Sequence, residues 1–383
     1  MRRISILGAT GSIGGSTLDL VRRNRADWQV AALTAQTNVA DLAALAREFS
    51  AEMAVIGDEA QLPALREVLA GSGVTAAGGP AALIEAAQCP ADLVVAAIVG
   101  CAGLAPTMAA IERGAAVALA NKEALVSAGS VMTAAVARHG ATLLPMDSEH
   151  NAIFQCLAGN ELSDVRSITL TASGGPLREW SAAQLDAASP AQAVAHPNWS
   201  MGAKISVDSA TMFNKGLELI EAHHLFPIPL DALKIVVHPQ SVIHSLVEYR
   251  DGSSLAQLGP SDMRVPIASC LAWPARMETP MAPLDLAALG QLTFFAPDEV
   301  RFPATRLARE AAEAGGAAPA VLNAANEIAV AAFLSCQIKF TRIAPLVSET
   351  LASLDLARPV TLDDVFAVDQ AARARAAHLL ERC

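Results

Sequence analysis

Two carboxylates follow an apolar stretch, Thr142–Met146, that is predicted to be a strand. Asp147 and Glu149 are two residues apart, and in an extended backbone their side chains point to the same side. Two adjacent like charges are costly unless a cation lies between them or one carboxylate is protonated. Carboxylate oxygens suit a hard divalent ion. The pattern predicts a metal site, with a helix N-cap and a first-turn acid as the alternative. His150 is not assigned as a ligand, because in an extended segment its side chain points away.

A third carboxylate occurs further along the chain. Asn214, Lys215 and Glu218 occupy positions i, i+1 and i+4 of a predicted helix, so they share one face. Glu218 is therefore the candidate third metal ligand. His223 and His224 are predicted near the end of the same helix, where a positive charge complements the helix dipole.

A glycine-rich turn separates the first predicted strand from the first helix. Its sequence is Gly8-Ala-Thr-Gly-Ser-Ile-Gly14, and a turn in this position binds a dinucleotide pyrophosphate, with a purely structural turn as the alternative. The next strand, Trp28–Thr34, leads to Gln36, Thr37 and Asn38 without an acid for a ribose hydroxyl, which favours NADP over NAD. Because no basic residue lies in that turn, Thr37, Asn38 and backbone amides would hold a 2′-phosphate.

Further polar segments are predicted at strand ends and in loops. Lys122 follows a strand within Ala-Asn-Lys-Glu, at the edge where open α/β sheets bind ligands; a solvated surface lysine is the alternative. The segments 171–176 and 206–211 are predicted to be small polar loops that offer hydroxyls and amides to a phosphate, or else ordinary turns and caps. With Asn214 and Lys215 downstream, the second segment favours a phosphate pocket.

The stretch 196–202 combines a histidine, a tryptophan and a methionine with a proline and a glycine. Trp199 either packs against its own domain or covers an active site as part of a mobile lid. Residues 241–249 and 254–258 are predicted to form a hairpin, and structural roles are predicted for His238 and His244 near its start.

The elements that position these residues change in character along the chain. Alternating strands and helices predict an α/β fold, with a Rossmann-like, doubly wound parallel sheet in residues 1–147. Residues 148–273 are predicted to form a central α+β catalytic domain that includes a lid loop at 196–204. The proline-containing stretch 274–298 is predicted to be a linker, and residues 299–383 a C-terminal helical bundle.

Composition limits the classes of function. The 383 residues carry a net charge of −11 and are 53% hydrophobic, which predicts a folded globular protein that does not bind nucleic acid non-specifically. No apolar run suits a membrane span or a signal peptide. The six cysteines form no C-x-x-C pair and no zinc-site spacing, so a cytoplasmic location is expected. A small anionic substrate would need local positive charge.

The chain resembles the 1-deoxy-D-xylulose 5-phosphate reductoisomerases, the NADPH- and metal-dependent enzymes of non-mevalonate isoprenoid synthesis. The segments that carry the resemblance span nearly the whole chain and are 8–14, 120–123, 146–151, 196–202, 205–211, 214–218, 238–244 and 322–328. The resemblance implies conversion of 1-deoxy-D-xylulose 5-phosphate to 2-C-methyl-D-erythritol 4-phosphate with NADPH and Mg²⁺ or Mn²⁺, with Co²⁺ as a further candidate. It also implies a homodimer.

The resemblance also implies roles for individual residues. The implied metal ligands are Asp147, Glu149 and Glu218, which with Lys122 form the catalytic set. The implied substrate contacts, including the phosphate contacts and the lid, are Lys122, Ser148, Glu149, Ser173, His196, Trp199, Ser209, Asn214, Lys215 and Glu218. The implied nucleotide site comprises Thr10, Gly11, Ser12, Ile13, Gln36, Thr37, Asn38, Asn121, Glu123 and Gly202. Family members often carry a glycine and a basic residue just before the position of Asn38, where this chain has Gln36 and Thr37.

Two other functions are compatible with parts of this pattern. A metal-assisted dehydrogenase acting on a hydroxy acid would use the glycine turn and the carboxylates but not a phosphate pocket. A non-catalytic nucleotide sensor would need no cluster of carboxylates. Turnover of a phosphate-free substrate would favour the first, and cofactor binding without metal dependence would favour the second.

Overall fold

The computed structural model describes residues 1–199 and 201–382. Ser200, within the predicted lid, and Cys383 lie outside the described residues. The strands of the described chain are β1 (Arg2–Leu7), β2 (Trp28–Ala35), β3 (Met53–Ile56), β4 (Thr75–Gly78), β5 (Leu93–Ala96), β6 (Ala116–Leu119), β7 (Thr142–Pro145), β8 (Val165–Ala172), β9 (Leu233–Val237), β10 (Ile243–Tyr249) and β11 (Ser254–Leu258).

Helices follow most of these strands. The α-helices of the described chain are α1 (Ser12–Arg23), α2 (Val39–Glu48), α3 (Leu62–Leu69), α4 (Pro80–Gln88), α5 (Leu104–Glu112), α6 (Lys122–His139), α7 (Ser148–Leu157), α8 (Ala182–Asp186), α9 (Pro190–Val194), α10 (Ala203–Thr211), α11 (Phe213–Leu225), α12 (Arg264–Ala272), α13 (Leu286–Leu289), α14 (Ala304–Ala314), α15 (Ala318–Leu334), α16 (Ile343–Ala352) and α17 (Leu362–Leu380).

The first sheet contains β1 to β7 in the order β4-β3-β2-β1-β5-β6-β7. All neighbouring strands in it are parallel. The strand order reverses beside β1, and the carboxyl ends of strands at such a point border the crevice where doubly wound sheets bind ligands. The predicted α/β fold with a parallel N-terminal sheet is confirmed.

The described chain divides into two compact units, each built from three stretches. Residues 1–124, 132–151 and 263–281 form the first unit. Residues 125–131, 152–262 and the chain from 282 onward form the second. The predicted domain boundaries at 147, 273 and 298 stay a prediction.

The second unit contains a four-stranded sheet in the order β11-β10-β8-β9. Strand β10 is antiparallel to β8 and β11, whereas β9 is parallel to β8, so the predicted hairpin is confirmed. The segment 206–211 is not the predicted polar loop, because it belongs to helix α10. Buried Val207 and Ala210 hold this helix in the core, and that packing outweighs the modest helix propensity of its Ser, Asp and Thr residues.

Helices α14 to α17 follow residues 274–298 and share the apolar core of the second unit, to which Leu322, Phe333 and Leu346 contribute fully buried side chains. Residues 274–298 contain the short helix α13, and Phe295 forms a bridge with Val237. Among the described helices, none is both long and apolar enough to cross a membrane.

Candidate active site

The ends of two neighbouring strands bring Lys122 and Asp147 together. Leu119 of β6 pairs with Pro145 of β7, so the residues after these strands emerge side by side. Lys122 Nζ lies 2.8 Å from Asp147 Oδ2. Lys122 is also buried, so the alternative of a solvated surface lysine is wrong. Lys122 therefore places a fixed positive charge next to a carboxylate.

Asn121, the residue before Lys122, fixes the local backbone. Its Oδ1 accepts the Ala124 amide at 3.2 Å and caps helix α6. Its Nδ2 donates to the Gly100 carbonyl at 2.9 Å. Asn121 and Glu123 are both buried. Asn121 thus ties the turn after β5 to the start of α6, at the edge of the sheet where a nucleotide is expected.

Asp147 and Glu149 lie at a helix start and not on an extended segment. Strand β7 ends at Pro145 and helix α7 begins at Ser148. The Glu149 amide donates to Asp147 Oδ1 at 3.1 Å, and Ser148 Oγ donates to the Glu149 carboxylate. The predicted extended geometry is wrong, and the alternative of an N-cap with a first-turn acid is correct. Capping does not exclude a metal, because both carboxylates remain partly exposed.

His150 belongs to this group, contrary to the prediction that it points away. It is fully buried, and its Nδ1 lies 3.3 Å from Asp147 Oδ1. The prediction failed because it assumed a strand, whereas in a helical turn residues i and i+3 are neighbours.

Two residues outside the predicted site hold the end of β7. Asn151 Nδ2 and Cys270 Sγ both donate to the Pro145 carbonyl, at 2.9 and 3.2 Å. Burial raises the pKa of the Cys270 thiol to about 12, so it stays protonated and can act as a donor. These two hydrogen bonds fix the end of the strand that precedes Asp147.

The glycine-rich turn has the close packing expected of a nucleotide-binding loop. The Ala9 amide donates to the Thr34 carbonyl at 2.7 Å, and Gly8 has a φ of +89°. A Cβ on Gly14 would lie 2.6 Å from Ala9 Cα, so glycine is required there. Gly11 and Ser12 are exposed at the start of α1, where amides can meet an anion.

The end of β2 leaves polar side chains open to solvent. Gln36, Thr37 and Asn38 are all exposed. Asn38 caps α2 by accepting the Asp41 amide at 3.1 Å, and its Nδ2 donates to the Asp41 carboxylate at 2.6 Å. Asn38 therefore has a local structural role as well as the predicted nucleotide role.

Two predicted phosphate ligands and one residue of the predicted lid lie together in the second unit. His196 Nε2 lies 2.9 Å from Ser173 Oγ, which is 3.5 Å from Ser209 Oγ. His196 Nδ1 accepts the amides of Asn198 and Trp199, so its proton is on Nε2 and is donated to Ser173. Such a group of hydroxyls and an N–H donor suits an anion.

The residues that follow β8, from Ser173 to Gly175, approach helix α10 closely. Gly175 has a φ of +71°, and a Cβ there would lie 2.6 Å from the Ser209 carbonyl oxygen. Only glycine combines this backbone conformation with this contact. The approach brings Ser173 next to Ser209.

Helix α11 presents the predicted face of polar residues. Asn214 Nδ2 donates to Glu218 Oε1 at 2.5 Å, and Lys215 Nζ pairs with Glu218 Oε2. Lys215 and Glu218 are buried. The prediction that these three residues share one helical face is confirmed, and Glu218 is a carboxylate held by two donors.

The first residues of the predicted lid form a loop that is held by side-chain contacts. Asn198 Nδ2 donates to the Pro239 carbonyl at 2.7 Å, and the Trp199 ring lies 6.1 Å from that of His244. Gly202 is the N-cap of α10, so residues 203 and 204 are helical.

His223 and His224 do lie in the last turn of α11, but His224 does not complement the helix dipole. Burial, and to a smaller extent the neighbouring His223, lowers the pKa of His224 to about 4. His224 is therefore neutral near pH 7. Its ring packs against Gly129, in a small cavity of about 180 Å³.

Stability should fall on acidification because of His224. Its ordinary pKa is 6.5 and its folded pKa about 4, so the unfolded chain binds a proton that the folded chain does not in this range. The free energy of unfolding should therefore decrease as the pH falls from 6.5 towards 4, by up to about 1.4 kcal/mol per pH unit from this residue. Urea unfolding of the wild type and His224→Gln at several pH values should show a shallower dependence in the variant; equal slopes would contradict the prediction.

Three models of known protein families match this chain. The model for 1-deoxy-D-xylulose 5-phosphate reductoisomerase matches residues 4–129 and that for its C-terminal domain residues 143–226. A further model, for the DXP reductoisomerase C-terminal domain, matches residues 258–375. The chain belongs to the 1-deoxy-D-xylulose 5-phosphate reductoisomerase family. A reductoisomerase from Zymomonas mobilis is 60% identical over 380 residues, 99% of this chain and 98% of that protein. One from Rhodospirillum centenum is 56% identical over 380 residues, 99% of this chain and 94% of that protein.

Solved reductoisomerase structures have the same fold. The Zymomonas mobilis enzyme in complex with NADPH superposes with a TM-score of 0.96 at 58% identity, with both chains fully covered. A reductoisomerase in complex with NADPH, fosmidomycin and magnesium superposes with a TM-score of 0.94 at 45% identity, covering 100% of this chain and 98% of that one.

Proposed function

We infer that this chain catalyses the NADPH- and divalent-metal-dependent isomerisation and reduction of 1-deoxy-D-xylulose 5-phosphate to 2-C-methyl-D-erythritol 4-phosphate, a step in isoprenoid precursor biosynthesis. The observation that carries this conclusion is 60% identity along almost the whole length of a reductoisomerase. Family structures with NADPH and magnesium support both cofactors.

We propose Asp147, Glu149 and Glu218 as the metal ligands. All three are carboxylates, and this donor set fits Mg²⁺ or Mn²⁺ better than a softer ion. When bound, the ion polarises the substrate carbonyl and stabilises negative charge on adjacent oxygens. The Asp147 carboxylate is oriented for this role by the Glu149 amide and by Lys122.

Lys122, Ser148 and Glu149 are the proposed contacts to the hydroxyl and carbonyl region of the substrate. Lys122 contributes positive charge where negative charge develops on substrate oxygens. The Ser148 hydroxyl, which donates to Glu149, can turn to a substrate oxygen without a backbone change. These groups would orient the reacting carbons.

The substrate phosphate is proposed to bind to Ser173, Ser209, Asn214 and Lys215, with His196 beside them. The adjacency of Ser173, His196 and Ser209 supports this assignment. Lys215 would supply the charge that the hydroxyls lack. Binding energy gained on this non-reacting group can be used to position the reacting end of the substrate.

The proposed nucleotide contacts are Thr10, Gly11, Ser12, Ile13, Gln36, Thr37, Asn38, Asn121, Glu123 and Gly202. The open turn at the start of α1 and the exposed side chains after β2 support the pyrophosphate and 2′-phosphate positions respectively. NADPH, when bound, supplies the hydride. Residues 196–204 are proposed to close over the substrate with Trp199 as the cover, before hydride transfer.

A homodimer and a cytoplasmic location are also proposed. Leu286, Phe294, Phe295 and Val300 are exposed apolar side chains within a short stretch, which is a common mark of an interface. The thiols of Cys89, Cys156, Cys270 and Cys336 form no disulfide, in keeping with a reducing compartment. Light scattering should give twice the chain mass for the wild type and a smaller mass for Val300→Asp. An unchanged dimer in the variant would exclude Val300 from the interface.

The function can be tested by following NADPH absorbance with 1-deoxy-D-xylulose 5-phosphate as substrate. Oxidation should require Mg²⁺ or Mn²⁺, should be inhibited by fosmidomycin, and should be weaker with NADH. Absence of oxidation by folded protein with every metal would reject the reductoisomerase function. Turnover of a phosphate-free hydroxy acid would then favour the dehydrogenase, and metal-independent cofactor binding the sensor.

A further inference from the structure

A buried hydrogen bond connects the C-terminal helices to the helix that carries Ser209. Asn326 of α15 donates from Nδ2 to Asp208 Oδ1 at 2.8 Å. Asn326 is 0% exposed and Asp208 is 1% exposed. The proposed catalytic machinery makes no use of Asn326, although it lies in segment 322–328, one of those that carry the family resemblance.

The second oxygen of Asp208 faces the start of its own helix. Lys204 Nζ lies 2.8 Å from Asp208 Oδ2. Lys204 is in the first turn of α10 and is the last residue of the predicted lid. The Asp208 carboxylate therefore links three parts of the second unit: the end of the lid, the residue next to Ser209, and the middle of α15.

The chemistry of the pair requires asparagine at 326. A buried carboxylate is costly unless donors surround it, and the amide must turn its Nδ2 towards Asp208 because its Oδ1 would repel the carboxylate. Hydrogen bonds to charged groups are stronger than neutral ones. Leucine at 326 would have a similar volume but no donor, so Asp208 would keep Lys204 but lose the donor to its Oδ1.

We propose that Asn326 is a positioning residue for the substrate phosphate, which acts through Asp208 to keep the Ser209 side chain next to that of Ser173. The proposal rests on the phosphate site described above. It predicts that the C-terminal helices control affinity for the phosphate group rather than the chemical step or nucleotide binding.

The test compares the wild type with Asn326→Leu and with Asn323→Leu as a matched control. Asn323 lies one turn earlier on α15, is also fully buried, and donates to Ser127 and Glu327 rather than to α10. For each protein we would measure kcat, the KM for 1-deoxy-D-xylulose 5-phosphate and for NADPH, and competitive inhibition by inorganic phosphate.

For Asn326→Leu we expect the KM for the sugar phosphate and the inhibition constant of phosphate to rise about tenfold, the effect of one charged hydrogen bond. The KM for NADPH and kcat should change less than twofold, and Asn323→Leu should leave phosphate inhibition unchanged. Equal loss in all parameters, or the same effect in the control, would overturn the proposal. If Asn326→Leu does not fold, Asn326→Ala decides: it removes the amide donor without adding volume, and an unchanged phosphate inhibition constant in this variant would also overturn the proposal. Lack of turnover by the wild type would instead reject the proposed function.

Discussion

Glu218→Gln is expected to lower kcat by roughly 10²- to 10³-fold, the range seen when one group that stabilises developing charge is removed. The variant loses the charge of a proposed metal ligand while keeping its shape. It also removes the carboxylate charge that pairs with the buried Lys215 ammonium, and breaking a buried ion pair typically costs about 3–5 kcal/mol of stability. Metal-dependent NADPH oxidation and urea unfolding measure the two effects separately.

A double variant separates loss of chemistry from loss of folding. Glu218→Gln combined with Lys215→Met removes both members of the buried pair and should recover stability but not activity. Glu327→Gln is the matched control for lost charge, since Glu327 pairs with Arg373 in the C-terminal helices. Its kcat should stay within about twofold of the wild type. Near-normal kcat and metal dependence in Glu218→Gln would remove Glu218 from the proposed ligand set.

Gly14→Ala is expected to raise the KM for NADPH by about 100-fold or to prevent stable folding of the turn. The added methyl would lie 2.6 Å from Ala9 Cα, so the backbone of the glycine-rich turn has to move. Overpacking of this kind typically costs about 1–3 kcal/mol, and the movement displaces the amides expected to meet the pyrophosphate. Nucleotide titration and initial-rate kinetics measure the effect.

Gly15→Ala provides the control for this substitution. A Cβ at Gly15 has no neighbour within 4 Å, and alanine is a better helix former than glycine. Its affinity for NADPH should be unchanged and its stability equal or slightly higher. Equal behaviour of the two variants would show that close packing at Gly14 does not support nucleotide binding.

The sequence predicted the features that depend on local pattern. The parallel sheet followed from alternating apolar strands and helices, and the shared face of Asn214, Lys215 and Glu218 followed from helical spacing. The same reasoning failed at Asp147, because it continued strand β7 past Pro145, although the competing capping signal was present. Because the start of helix α7 was predicted wrongly, the direction of the His150 side chain was also predicted wrongly.

Other features depend on the tertiary structure and have no local signal. The donation from Cys270 to Pro145 connects residues 125 positions apart, and that from Asn326 to Asp208 residues 118 apart. The charge of His224 is set by burial, which the helical pattern alone does not reveal.

The Cys270 thiol, which donates to the last residue of β7, can report local opening of that strand end. Cys270 is 2% exposed, and because its pKa is raised to about 12 it should resist alkylation while the strand end is closed. Its slow labelling would then measure how often this strand end opens. Ligands that stabilise the closed state should slow the labelling, so that binding near Asp147 can be followed by mass spectrometry without any turnover.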